Sequence, residues 1–157
     1  MNKLPNIFIY PGKLYATKIN HHLSTILGSC VAVCLWDKRL GIGGMNHFML
    51  PYWNGQGLAS PKYGNIAINK LIQRMKFLGC KEEDLVAKVF GGGKIMENSS
   101  SSFSIGDRNI EIATNMLKEK NIRIIKSSTG GERGRKIMLN TSTFEVYHKF
   151  IEKSKQA

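Results

Sequence analysis

A chain of 157 residues that is 42% hydrophobic and 22% charged has the composition of one globular domain, large enough to bury roughly two thirds of its unfolded surface. No segment approaches the ~18 apolar residues of a membrane helix, and MNKLPNIFIYPGK lacks a secretory cleavage pattern, so a cytoplasmic protein that is not membrane-inserted is expected. A formal net charge of +12 fits nucleic acid or an acidic protein surface as partner, but the basic residues are spread along the chain without RNP-like aromatics, helix-turn-helix signature or zinc-finger spacing, which disfavours nucleic acid.

In chain order, Ile7 to Tyr10 and Leu14 to Ile19 read as short strands separated by Pro11-Gly12. Val31 to Trp36 is β-branched and apolar, Asp37 to Gly41 is polar and ends in glycine, and Ile42 to Leu50 is again largely apolar, the pattern of strand, turn, strand. A turn centred between Lys38 and Arg39 would place Cys30 directly opposite His47, with Cβ atoms about 5 Å apart. A bulge at Gly43-Gly44 or a turn centred one residue later would offset the pair, and an offset of two would leave it diagonal.

A free thiol is mostly protonated at neutral pH, and an adjacent imidazole can take its proton and later return it to a leaving amine. Cys30 is therefore the candidate nucleophile and His47 its base, with Gly28-Ser29 able to turn the backbone and bring N–H groups toward a developing oxyanion. The competing reading makes Cys30 a small buried apolar residue and His47 a satisfied strand histidine. A zinc site is disfavoured, because Cys30, Cys34, His21, His22 and Cys80 carry no recognised metal-ligand spacing. Cys34 and Cys80 read as core residues, and an odd count of three cysteines agrees with a reducing compartment.

Pro51 to Pro61 is a glycine-, proline- and asparagine-containing loop placed to wall a substrate cleft, with Trp53 as its aromatic anchor. From Asn65 a stripe of Ile66, Ala67, Leu71, Ile72, Met75 and Leu78 predicts a helix closed by Gly79. Leu85 to Phe90 reads as a strand buried on both faces, running into Gly91-Gly92-Gly93-Lys94; Ile95 follows the lysine where a P-loop requires Ser or Thr. Asp107 is expected to cap a second helix over Arg108 to Lys120, with Ala113, Met116 and Leu117 facing inward. Ile122 to Ile125, Lys136 to Leu139 and Phe144 to Tyr147 supply further strands, Ser99 to Ser102 reads as a surface loop, and the tail over 151–157 is expected to fray. Many strands with two grouped helices predict a single α+β domain over 1–157, a mixed or antiparallel sheet carrying the helices on one side.

The run LGSCVAVCLWD followed by GIGGMNHFMLP resembles the CheD family of chemoreceptor glutamine deamidases. The likeness continues through KYGNIAINKLIQRM, VFGGGKIM, SIGDRN and SSTGGERGRKIMLNTST, in the family's order and over nearly the whole chain. The resemblance implies a β-sandwich-like core similar to bacterial toxin deamidases, and hydrolysis of receptor glutamine side chains to glutamate without metal or organic cofactor. It places the nucleophile on Cys30, the histidine on His47 and a third catalytic hydroxyl, a threonine in the family, on Ser24, with Thr25 beside it if the local register differs. It also implies chemoreceptor cytoplasmic helices as partners and, as a second reading, a binding role as activator of a CheC-type chemotaxis phosphatase.

Overall fold

The computed structural model describes residues 3–95 and 103–152. The serine run over 99–102 and the tail from 153 lie outside these residues. Among the described residues, nine strands form two sheets. One contains β1 (Asn6–Phe8), β3 (His22–Leu27), β8 (Arg135–Asn140) and β9 (Val146–Phe150), in the order β1-β3-β8-β9. The other contains β2 (Leu14–Thr17), β5 (Ile42–Asn46), β4 (Val31–Asp37), β6 (Leu85–Gly91) and β7 (Arg123–Thr129), in the order β2-β5-β4-β6-β7. The β1/β3 and β6/β7 pairs are parallel and the remaining pairs antiparallel, so both sheets are mixed. With α1 (Gly64–Phe77) and α2 (Ile105–Glu119) packed on the five-stranded sheet, the fold is α+β.

Two apolar layers hold this arrangement together. Leu23, Leu27, Ile137 and Leu139 of the four-stranded sheet meet Ala32, Cys34, Met45 and Phe90 of the other. On its far face the five-stranded sheet presents Val31, Val33, Leu35, Ala87 and Val89 to Ala67, Ile68, Leu71 and Met75 of α1 and Ile112, Ala113 and Leu117 of α2. The central strands β4 and β6 are therefore apolar at nearly every position because both of their faces are covered. Cys34 and Cys80 are buried members of these two layers, and burial pushes the thiol of each up to about 12.

Both helices stop for the same reason. At the end of α1, Gly79 N–H bonds to the Lys76 carbonyl and Cys80 N–H to the Met75 carbonyl, a Schellman motif in which Gly79 takes φ +111°. Asn121, at φ 57°, plays the same part after α2, with Ile122 N–H reaching the Leu117 carbonyl. The start of α2 differs from expectation. Ser104 is the cap and Asp107 its reciprocal partner in a capping box, so the helix begins three residues earlier, at Ile105.

The β4/β5 register is offset by two from a turn centred on Lys38/Arg39. Cys34 lies opposite Met45 and Asp37 opposite Ile42, so the connecting loop is Lys38 to Gly41, closed by Gly41 N–H and Leu40 N–H on the carbonyl and carboxylate of Asp37. Gly43 and Gly44 stay in regular register opposite Trp36 and Leu35. Strand β3 is an element that the sequence reading lacked. It alternates Leu23, Thr25 and Leu27 toward the inter-sheet layer, with Ser24 and Ile26 on the outer face.

Candidate active site

β4 starts at Val31 and β5 ends at Asn46, so Cys30 and His47 each stand one residue beyond the end of a strand. The two segments still touch through Val31 and Phe48, which exchange both backbone hydrogen bonds at 3.0 and 2.9 Å. Cys30 precedes one member of that pair and His47 the other, which makes them diagonal neighbours on the face turned toward the four-stranded sheet. Such pairs lie about 7–8 Å apart at Cα, with Cβ atoms somewhat closer. Among the described residues no hydrogen bond joins the thiol to the ring.

The orientation of the imidazole is set from the opposite sheet. Thr25, fully buried on β3, places Oγ1 2.8 Å from His47 Nδ1 and donates its hydroxyl proton to the Ile9 carbonyl at 2.6 Å. Nδ1 itself lies 3.1 Å from that same carbonyl. A carbonyl only accepts, and the single hydroxyl proton of Thr25 is already committed, so Nδ1 must carry the ring hydrogen. The neutral ring then has its lone pair on Nε2. That atom is buried and, among the described residues, has no hydrogen-bond partner. An unpaired buried polar atom costs about 1–3 kcal/mol, and here it leaves a base free to take a proton.

Ser24 is not part of this contact. Its hydroxyl donates to Asn6 Oδ1 at 2.9 Å on the other face of β3. The difference follows from strand alternation: one residue along a strand reverses the side-chain direction, so Thr25 and not Ser24 shares a face with Leu23 and Leu27. The apolar pair at 23 and 27 was the available signal, obscured because Ser24-Thr25 interrupts the hydrophobic run. His21 and His22 take no part; His21 Nδ1 lies on the Ile19 carbonyl. Trp53 is half-buried and ties its own loop together through the Gln56 carbonyl.

The segment 28–30 is sewn to the glycine-rich stretch after β6. Gly92 N–H reaches the Cys30 carbonyl at 2.8 Å and Gly93 N–H the Gly28 carbonyl at 2.9 Å. The Ser29 carbonyl is taken by Asn109 of α2, a residue that sequence reasoning did not single out. All three carbonyls are thus held. Among the described residues, the Ser29 N–H has no acceptor and the Cys30 N–H none beyond its own Sγ. Gly91 packs so close that a Cβ there would lie 2.2 Å from the Cys30 carbonyl oxygen, and its φ of +107° disfavours any other residue. Gly91→Ala is expected to cost at least ~2 kcal/mol, read as a Tm lower by about 4–8 °C, whereas an unchanged Tm would show that the two strands separate freely at this point.

Burial moves both ionisations away from an ion pair. It raises the Cys30 thiol, outweighing the hydrogen bond from the residue's own N–H, and it lowers His47 despite the Ile9 carbonyl. The resting state at neutral pH is a neutral thiol beside a neutral imidazole. An open cleft of about 600 Å3 between the start of β2 and α1 is lined by Lys13, Lys70 and Arg74 without a carboxylate, and it reaches the site only through the Gly12 and Lys13 backbone bonded to His47. The candidate residues stand at the ends of β4 and β5 and on β3, and none of them lines this cleft.

A thiol, a fixed imidazole with a free Nε2 and nearby backbone N–H groups, where the two sheets of an α+β sandwich meet, are the groups that a thiol hydrolase requires. Comparison with known proteins narrows the class. The family described as CheD chemotactic sensory transduction matches residues 49–150. A protein of Trichlorobacter lovleyi named "Probable chemoreceptor glutamine deamidase CheD" is 52% identical over 136 residues, 87% of this chain and 84% of the relative. Relatives of the same name from Sulfurimonas denitrificans and Rhodospirillum rubrum are 47% and 41% identical over 148 and 152 residues, 94% and 97% of this chain and 95% and 86% of theirs. The chain belongs to the CheD family.

Proposed function

We propose that this protein is a chemoreceptor glutamine deamidase in which Cys30 is the nucleophile, His47 the general base and acid, and Thr25 the residue that holds the imidazole. The observation that carries the reading is the tautomer fixed by Thr25 and Ile9, which leaves Nε2 buried and unpaired on the face of Cys30. The names and lengths of the relatives support the substrate.

In the first half-reaction the Cys30 proton passes to His47 Nε2 as sulfur bonds to the side-chain carboxamide carbon. The C=O electron pair moves onto oxygen, where the Ser29 and Cys30 N–H groups receive it. Collapse of this intermediate breaks the C–N bond as His47 Nε2–H protonates the leaving nitrogen, releasing ammonia and leaving a thioester. In the second, water gives a proton to Nε2 while its oxygen attacks the thioester carbon. The C–S bond breaks, the proton returns to sulfur, and glutamate is released. Each step uses groups of this chain, the substrate and water.

The inverted ionisations predict a pH profile. Because burial lowers His47, the base stays unprotonated below the ordinary imidazole value of about 6.5, so the acid limb of kcat/KM is expected to have its midpoint below 6.5, with no loss up to pH 9. An acid midpoint above 6.5 would contradict the lowered imidazole, and a loss of activity below pH 9 would indicate a resting thiolate–imidazolium pair, whose imidazolium deprotonates there. Thr25→Val is expected to lower kcat about 10-fold, since Nδ1 keeps the Ile9 carbonyl, while Ser24→Ala leaves kcat within about twofold. The reverse order of losses would return the third position to Ser24.

The protein is read as one cytoplasmic domain: its three cysteines are free thiols, as in a reducing compartment, and the five-stranded sheet contributes to both apolar layers. Among the described residues no helix is long and apolar enough to cross a membrane. A partnership with a CheC-type phosphatase follows from the resemblance. A protein that acted only as such a partner would need the surface around Cys30 but not an aligned imidazole, so the Thr25–His47 contact supports the enzyme.

A further inference from the structure

Asn109 is completely buried, and its Nδ2 donates to two carbonyls, Ser29 at 2.9 Å and Met49 at 3.0 Å. Both partners only accept, which fixes the orientation of the amide. One of these residues precedes the nucleophile and the other lies two positions after the base. Asn109 Oδ1 is buried with no partner among the described residues, so the side chain retains an uncompensated polar atom in order to supply its two donors.

The reason for those donors lies in how the ladder ends. Beyond the Val31/Phe48 pair, a regular antiparallel ladder would have Ser29 and Leu50 exchange hydrogen bonds. Leu50 is engaged elsewhere: its N–H donates to the Lys62 carbonyl at 3.1 Å and its carbonyl accepts from Gly64 N–H at 2.7 Å. Asn109 replaces Leu50 as donor to the Ser29 carbonyl, and nothing described replaces it as acceptor for the Ser29 N–H. The peptide linking Ser29 to Cys30 is planar and trans, so fixing the direction of the Ser29 carbonyl fixes the Cys30 N–H, which points the opposite way.

We infer that Asn109 is a positioning residue that holds the Ser29–Cys30 peptide plane so that the Cys30 N–H faces the oxyanion formed during deamidation. The inference rests on the reading of Cys30 as nucleophile. The main effect of Asn109 falls on the transition state, because burial outweighs the hydrogen bond from the Cys30 N–H to its own sulfur in setting the thiol, and this separates it from a merely structural role. Alkylation of Cys30 by iodoacetamide displaces iodide directly and forms no oxyanion, whereas deamidation does.

The test compares wild type with Asn109→Leu, which fills the volume without donors, and with Asn109→Ser, a smaller change that serves should the leucine variant not fold. A glutamine-containing chemoreceptor cytoplasmic fragment is the substrate, and iodoacetamide probes the thiol. Expected are a kcat about 100-fold lower, KM within about twofold and an alkylation rate at Cys30 within about twofold of wild type. The inference is overturned by a kcat within threefold of wild type, by alkylation falling in parallel with kcat, or by a loss carried in KM. Cys30→Ala is assayed alongside: turnover surviving in that variant overturns the nucleophile assignment itself, while its loss beside an active Asn109→Leu overturns only the positioning role.

Discussion

Cys30→Ala is expected to reduce ammonia release from a chemoreceptor fragment by at least about 10⁴-fold while the protein remains folded. Without the sulfur there is no thioester, and direct hydrolysis of a carboxamide by water would have to use oxyanion donors and a base placed for a different geometry. Folding should survive, because Cys30 is only half-buried and packs at the margin of the inter-sheet layer, and removal of one sulfur there costs about 1 kcal/mol. Unchanged thermal unfolding together with lost turnover is the expected pair of results. Turnover within tenfold of wild type would show that another group attacks the substrate.

His47→Ala is expected to lower kcat/KM at pH 7 by about 10²–10⁴-fold and to change the shape of the pH profile. Burial raises the thiol, so without an adjacent base Cys30 is almost entirely protonated at pH 7. Activity of the variant should therefore climb about tenfold per pH unit into the alkaline range as hydroxide performs the deprotonation. Wild type, with its lowered imidazole already neutral, stays flat over the same range. Recovery remains incomplete even at high pH, because the group that protonates departing ammonia is also gone. A variant that keeps wild-type activity at pH 7, or whose profile stays flat, would remove His47 from proton transfer.

The parts of this molecule that were legible in the sequence are those set by local pattern. The apolar runs of β4 and β6, buried on both faces, and the helical stripes of α1 and α2 mark the five-stranded sheet and the layer on it. Cys30 and His47 were legible as a pair because they flank a hairpin. Their diagonal relation stood in the sequence only as the alternative to direct opposition, and it is the one realised because Asp37 remains in the strand and caps the turn with its own carboxylate, which moves the turn centre by one residue. Strand β3 was hidden because Ser24-Thr25 interrupts its hydrophobic signal, and the same interruption carries the Thr25 hydroxyl that faces His47. Asn109 carried no signal beyond its place at the end of SIGDRN. Its importance lies in two carbonyls 80 and 60 residues away in the chain, brought together only when α2 packs on β4.

Thiol-dependent conversion of receptor glutamine to glutamate is the claim on which the other assignments rest. Intact-mass analysis of a chemoreceptor cytoplasmic fragment, incubated in parallel with the wild-type protein and with Cys30→Ala, tests it most directly. A gain of about 1 Da per modified site, mapped to glutamine and seen only with the wild type, is the predicted result. An unchanged mass with the wild type, or an equal gain with Cys30→Ala, would contradict it.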